Sequence, residues 1–243
     1  MQETSTKLLK ELSVFFPCYN EQDNIKNTVE SAIKVLNSVS EKWEIIIVND
    51  GSKDKTLEVC EKIQEKYPKQ IKIINHNVNQ GYGAAFKSGL FACSYEWITF
   101  TDSDGQFDFK ELTKLLEKQK KDNVDVVVGY RIKRNDPPIR ILIAKMLKIW
   151  NYLFFGFSGI RDVDCAFKLF KKAAIDNVKP LKTSSAITTT ELLIKLKRAG
   201  YKISQVGVNH YPRRFGSQTG SNFKVIKKAA IDSINLYRAI NTK

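Results

Sequence analysis

The chain has little of what several chemistries require. Its 243 residues include only two histidines, His76 and His210, and four cysteines, Cys18, Cys60, Cys93 and Cys165, none of them in a Cys-x-x-Cys pair. That scarcity argues against a zinc site built on imidazole or thiolate, so any metal should be a hard cation held by carboxylates. Scattered thiols fit a reduced, cytosolic chain better than a disulfide framework. Long apolar runs are missing too. The best stretch, Ile141 to Ile160, is interrupted by Lys145, Lys148 and Asn151, short of the ~20 apolar residues that span a bilayer. The N-terminus is polar and its first apolar run is only Leu12 to Phe16, which does not read as a secretory leader. There is no internal repeat, low-complexity tract or long linker. One domain over residues 1–243 is expected, soluble but able to lie on a membrane.

Acidic residues are in deficit as well: 26 Asp and Glu stand against 40 Lys and Arg, a formal net charge of +14. Such an excess attracts polyanions, whether nucleic acid, anionic membrane or phosphorylated substrates, although solvated surface lysines account for part of it. No zinc-finger, helix-turn-helix or RNA-binding signature accompanies the charge, so no nucleic-acid partner is expected.

What is present is a rhythm. Leu12–Phe16, Glu44–Asn49, Ile71–Asn75, Trp97–Thr101 and Val124–Gly129 are short runs rich in Ile, Val and Phe, as buried strands require. Between them Glu21–Asn37, Asp54–Lys66, Gly83–Ser94 and Lys110–Lys121 are amphipathic and predict helices. Alternation of this kind gives an α/β fold, a mostly parallel sheet with helices on both faces. Further on, Val163–Phe170 and Lys202–Val208 read as strands joined through a helix around Thr188–Ala199. A helix from Pro138 to about Phe155 and a last one, about Asn222–Ile240, are amphipathic.

In parallel sheets ligands sit beyond the carboxyl ends of the strands, and there the sequence places its polar groups. The first strand runs into Pro17-Cys18-Tyr19-Asn20-Glu21, the second into Asp50-Gly51-Ser52, the fourth into Asp102-Ser103-Asp104-Gly105-Gln106 and the fifth into Tyr130-Arg131. Two carboxylates two residues apart, with Gly105 permitting a bend, suit Mg²⁺ or Mn²⁺, which take one or two carboxylates and complete their shell with substrate phosphate oxygens. Gln106 adds a neutral oxygen. Asp50 can accept hydrogen bonds from a ribose or base, and Gly51 lets a ligand approach the backbone. Each motif alone also reads as a turn or helix cap, Asn20 and Asp108 being favoured N-caps.

Taken together and in this order, these pieces resemble glycosyltransferase family 2, and within it the polyprenyl-phosphate (dolichyl-phosphate) sugar synthases. Asn79-Gln80-Gly81-Tyr82-Gly83-Ala84, Gly129-Tyr130-Arg131, Asp162 through Lys168 and Arg213-Arg214-Phe215-Gly216 extend the match, which covers about residues 12–220. Ala166, where the branch usually has glycine, and Ser217-Gln218-Thr219-Gly220 depart from it. The resemblance implies a GT-A fold with a nucleotide-sugar half (about 10–130), an acceptor half (about 131–220) and a C-terminal helix. It implies that Pro17, Tyr19, Glu21, Asp50, Gly51 and Ser103 surround the nucleotide. Asp102 would contact ribose or metal, Asp104 with Gln106 would hold the metal, and Arg131, Arg140 and Arg213 would meet acceptor phosphate or donor diphosphate. Asp104, Arg131 and Asp102 are thus the expected catalytic residues.

The implied reaction moves a hexose from a UDP- or GDP-sugar to a polyprenyl phosphate with inversion, at the cytoplasmic face of a membrane. The Pro138 helix and the last helix, with Lys224, Lys227 and Lys228, would be the peripheral contacts, and a separate anchoring subunit is left open. A lipid monophosphate, with its second ionisation near ~6, needs no strong base. Other readings are a hydroxyl acceptor with Glu191 as base, a nucleotidyltransferase, and a basic nucleic-acid binder.

Overall fold

A computed structural model describes residues 7–133, 138–155, 159–216 and 223–241. Its centre is one seven-stranded sheet: β1 (Leu9–Cys18), β2 (Ser40–Asn49), β3 (Ile71–Asn75), β4 (Trp97–Phe100), β5 (Val126–Arg131), β6 (Lys168–Lys171) and β7 (Ile203–Val208), in the order β3-β2-β1-β4-β6-β5-β7. The helices are α1 (Ile25–Val39), α2 (Thr56–Lys66), α3 (Tyr82–Ala92), α4 (Leu112–Asp122), α5 (Pro138–Phe155), α6 (Lys172–Asn177), α7 (Ile187–Arg198) and α8 (Phe223–Asn241).

The strands read as unbroken apolar runs because both faces of the sheet are covered. Alternation along β1 sends Leu12, Val14 and Phe16 into one core with α1, α2 and α4, and Phe15 into another with α3 and α7. Phe15, Phe16, Ile45, Ile46 and Ile47 are fully buried. Rings stack across the sheet's second face, Phe15 on Phe100 at 5.0 Å and Phe100 on Phe170 at 6.3 Å between centroids.

One strand departs from the expected reading. Val163–Phe170 is not a single strand: pairing is confined to Lys168–Lys171, and residues 161–167 form a loop. The alternating Val163, Cys165 and Phe167 imitate a strand because all three are buried beneath that loop. β6 also runs antiparallel to both its neighbours, β4 and β5. An antiparallel strand begins at the edge where its parallel neighbours end. The loop before β6 therefore joins those after β4 and β5 at one edge of the sheet. α6 was not expected from the sequence.

α1 likewise starts later than its pattern implies. Asn20 is not its cap; it sits at φ 56°, its side-chain Oδ1 accepting from Lys53 N (2.8 Å) and its backbone N–H donating to Ser52 Oγ (2.9 Å). The residue ties the loop after β1 to the loop after β2. Asp108 does cap the turn before α4, accepting from Lys110 N.

Candidate active site

The nucleotide side of the edge is built around Asp50. Its Oδ1 accepts from His76 Nδ1 (2.7 Å) and Gln80 N (2.9 Å), its Oδ2 from Gly81 N (2.8 Å). His76 is held in turn by Ser88 Oγ (3.0 Å). Three of the roughly four acceptor sites of the carboxylate are thus committed to shaping the 76–81 loop. Gly51 serves the same purpose. It has φ +65°, and a Cβ there would lie 2.4 Å from Asn79 N and from the Val78 carbonyl carbon. The close approach expected of a ligand at Gly51 is made by the chain's own loop.

Ser103 links two further loops, donating to Pro17 O (2.9 Å) while its carbonyl accepts from Thr28 Oγ1 (3.2 Å). Glu21, at the start of the α1 region, accepts from Asn24 Nδ2 (2.7 Å) and from Arg213 Nη2. Arg213 also reaches Asp104 Oδ2 from Nη1 (3.3 Å) and Phe215 O from Nε (2.7 Å). The guanidinium therefore clamps the 211–216 segment onto the nucleotide half and compensates two carboxylates. Burial nonetheless pushes the Glu21 carboxyl up, against the pull of Asn24 and Arg213.

Asp102 and Asp104 face the same cavity. Tyr82 OH donates to Asp102 Oδ1 (3.2 Å) and Gln106 N to Asp104 Oδ1 (3.0 Å). Desolvation and the Asp104 charge push the Asp102 carboxyl up to about 7. Two anions crowded to that degree form a site that a cation would relieve. Among the described residues no three His, Cys, Asp or Glu side chains converge on a metal position. A two-carboxylate site suits a hard cation whose remaining ligands are water and substrate phosphate, so Asp102 and Asp104 fit the expected Mg²⁺ or Mn²⁺. Gln106 donates its amide N–H to Tyr211 O (3.0 Å), which leaves only its oxygen for another partner.

Across the cavity, Arg131 is gripped by Asp162 in bidentate fashion, Nε to Oδ2 and Nη2 to Oδ1, both 2.7 Å. Asp162 Oδ2 also accepts from the Arg131 backbone N–H (3.2 Å). Burial alone would lower the Arg131 pKa; the Asp162 pair outweighs it and holds the guanidinium firmly charged. Beneath the loop lies buried Lys168, whose Nζ donates to Cys165 O and stands 5.4 Å from the Phe100 ring centre. Burial lowers its pKa, opposed by Asp162 and Asp164. The Arg140 and Lys224 side chains lie outside the described residues.

These groups open onto a cavity of about 640 Å³. Pro17, Tyr19, Glu21, Asp50, the Asp102–Asp104 triplet, Gln106, Arg131 and Arg213 all line it; Gly51, expected with them, does not. The wall that α5 and α8 contribute is largely apolar, with Met146, Trp150, Ile226 and Ala229, and carries Lys228 and Ser233.

Glu191 is a correction. It is fully buried and accepts from Lys182 N, Thr183 N and Thr183 Oγ1 (each 2.8 Å at its shorter contact), with Lys195 Nζ at 2.9 Å. Burial raises its pKa, but these donors outweigh burial and hold the carboxyl low. It does not line the cavity, and a carboxylate so saturated is no general base.

Comparison with known proteins bears on this arrangement. Residues 13–178 match the pattern described as Glycosyl transferase family 2. The chain belongs to that family. Among its relatives, a dolichyl-phosphate beta-glucosyltransferase of Trichomonas vaginalis is 33% identical over 93% of this chain and 72% of its own length. The dolichyl-phosphate beta-glucosyltransferase of Saccharomyces cerevisiae is 31% identical over 82% and 66%. A dodecaprenyl-phosphate galacturonate synthase of Rhizobium johnstonii is 29% identical over 70% and 50%. Against some relatives the chain thus spans as little as half their length. Among solved structures, glucosyl-3-phosphoglycerate synthase from Mycobacterium tuberculosis, crystallised with Mn²⁺, UDP and phosphoglyceric acid, superposes with a TM-score of 0.71. It is 16% identical, over 95% of this chain and 78% of that one. The likeness establishes the GT-A fold.

In this family 2 glycosyltransferase, His76 and His210 lie outside the sequence motifs, and Tyr82 and Asp162 lie inside them without an expected role. His76 stands just past β3. Asp162 fixes Arg131, and Tyr82 and His210 line the cavity. Only knowledge that β6 runs antiparallel would have brought Asp162 to Arg131.

Proposed function

We propose that this glycosyltransferase moves a hexose from a UDP- or GDP-sugar to a polyprenyl phosphate at a membrane surface, with inversion at the anomeric carbon. The cavity carries the reading. It is polar and charged at the sheet edge and apolar along α5 and α8, matching a substrate with a phosphate head and a hydrocarbon tail. The wall also continues outside. Leu142, Met146, Ile149 and Leu153 recur at i, i+4, i+7 and i+11 on α5 and are 52%, 62%, 60% and 69% exposed. Met146 belongs to both the cavity lining and this stripe. Trp150 and Phe154 pack toward α8: Trp150 Nε1 donates to Ser233 Oγ (2.6 Å), and Phe154 meets the Tyr237 ring at 5.4 Å. No helix is long and apolar enough to cross a membrane among the described residues. The stripe, with exposed Lys145 on the same helix and exposed Lys227 on α8, suits the surface of an anionic leaflet.

Asp102 and Asp104 would hold Mg²⁺ or Mn²⁺, which when bound supplies positive charge to the departing diphosphate. Asp50 and the 76–81 loop it shapes form the wall against base and ribose. Arg131, oriented by Asp162, offers its remaining N–H groups to the acceptor phosphate, which is already anionic and needs aim rather than deprotonation. Exclusion of bulk water by the α5–α8 wall protects the donor from hydrolysis. The test is extraction: sugar-labelled UDP- and GDP-donors are incubated with farnesyl phosphate and Mg²⁺ or Mn²⁺, and label is measured in the organic phase. Label accumulating there from one donor, and absent with Asp104→Ala, is the expected result; label that stays in water-soluble saccharide would contradict the reading.

A further inference from the structure

Three Lys or Arg side chains among the described residues line the cavity: Arg131, Arg213 and Lys228. Two are already compensated, Arg131 by Asp162 and Arg213 by Glu21 and Asp104. Lys228 differs. Among the described residues it forms no hydrogen bond or ion pair, and its neighbours on α8, Val225, Ile226 and Ala229, are apolar. Its Nζ lies 3.9 Å from the place a Cβ on Gly81 would take, across the cavity from α8's own helix.

That place is defined by chemistry on both sides. The Gly81 N–H donates to Asp50 Oδ2 (2.8 Å), and the next residue, Tyr82, donates its hydroxyl to Asp102 Oδ1 (3.2 Å). Lys228 thus reaches the Gly81–Tyr82 segment, whose two residues contact Asp50 and Asp102. Its position is also built rather than incidental. One turn along α8, Asp232 accepts from Ser184 N (3.1 Å) and Ser233 accepts from Trp150 Nε1 (2.6 Å); Leu236 is buried. These contacts fix the helix that presents the ammonium. The Lys228 side chain is exposed and has no counter-ion among the described residues, so its three donors remain available to an anion that enters the cavity. Of the carboxylates nearest to it in the fold, Asp50 is engaged by the 76–81 loop and Asp232 accepts from Ser184 N.

We propose that Lys228 is a phosphate-binding residue that closes the cavity over the donor's diphosphate from the α8 side, making the C-terminal helix part of the active site. The inference rests on the substrate reading above and names a residue for it. A compact ammonium on a flexible stem suits this task, because it can follow phosphate oxygens as the diphosphate departs, whereas the Arg131 fork is locked by Asp162.

The experiment uses the full chain with Lys228→Met and Lys228→Arg. UDP and GDP are titrated calorimetrically with Mg²⁺, uridine and guanosine serve as phosphate-free probes, and KM is measured for farnesyl phosphate. Lys228→Met should weaken the accepted diphosphate roughly tenfold, as loss of one charge-assisted contact implies. The matching nucleoside should bind unchanged, and Lys228→Arg should recover most of the loss. A raised KM for farnesyl phosphate at unchanged diphosphate affinity would overturn the assignment to the donor's diphosphate. Equal losses for nucleoside and diphosphate, or no change in either affinity or KM, would overturn the proposal. A wild-type protein that bound neither diphosphate would overturn the substrate reading along with it, whereas wild-type binding with an indifferent Lys228→Met would overturn the Lys228 assignment alone.

Discussion

Arg131 and Glu191 show how a residue's partners decide its work. Both are charged, buried groups fixed by several hydrogen bonds, but Arg131 keeps an edge toward the cavity and Glu191 does not. For Arg131 the consequence is orientation. Asp162→Asn leaves the guanidinium charged but loosens the fork, and displacement of a reacting contact by about an ångström is worth roughly a hundredfold in rate. We therefore expect Asp162→Asn to lower kcat strongly with little change in nucleotide affinity, measured by steady-state kinetics and calorimetry. For Glu191 the consequence is stability. Glu191→Gln should destabilise by about 2 kcal/mol at neutral pH, since buried donors lose a charged acceptor. The sign with pH follows from the depressed carboxyl: its stabilisation is present above the unfolded value, about 4.3, and is lost as pH falls through the lower folded value. Melting curves of wild type and variant should converge in acid, and the variant should still turn over below its melting temperature. Loss of turnover by a fully folded Glu191→Gln would restore it as a base.

At the scale of elements, the sheet edge is assembled by loops that hold one another. Gly51→Ala tests this directly. A Cβ at a position of φ +65° that would sit 2.4 Å from the 78–79 backbone must displace that loop. The strain costs about 2 kcal/mol, and the Asp50 contacts to Gln80 and Gly81 should loosen, weakening UDP or GDP binding in calorimetry. Unaltered binding would mean that the 76–81 loop does not form the nucleotide wall. The same scale explains what the sequence could disclose. Strands β1, β2, β4 and β5 were legible because strand segments buried on both faces must be apolar, and the loops after them because polar groups at such strand ends stand out. Direction was not legible. Nothing in Lys168–Lys171 distinguishes an antiparallel strand from a parallel one, and the buried Val163, Cys165 and Phe167 lengthen the pattern into a loop. The Asp162–Arg131 pair, which depends on that direction, was hidden for the same reason. Asp50 and Gly51 were found, but their inward partners were not, since contact with residues 76–81 is a tertiary fact.

For the whole molecule, the +14 charge and the stripe on α5 act together. Binding to vesicles containing anionic lipid should weaken with salt, because exposed charges are screened over about 8 Å at physiological ionic strength. Ile149→Glu with Leu153→Glu should weaken it further, since two apolar side chains contribute roughly 3 kcal/mol when buried in the interface. Neither residue lines the cavity, so UDP or GDP affinity should be unaffected; cosedimentation and calorimetry separate the two effects. Vesicle binding indifferent to the double substitution would remove α5 as the contact.

The central claim is that the acceptor's nucleophile is a phosphate, held by a fixed guanidinium and needing no general base. The direct measurement compares sugar transfer from the accepted nucleotide donor to farnesyl phosphate and to farnesol, at equal concentration and with the same divalent cation. Transfer to the phosphate alone is the predicted result. Transfer to the alcohol at a comparable rate would contradict it, because the described cavity would then have to supply a base in a role that Glu191 cannot fill.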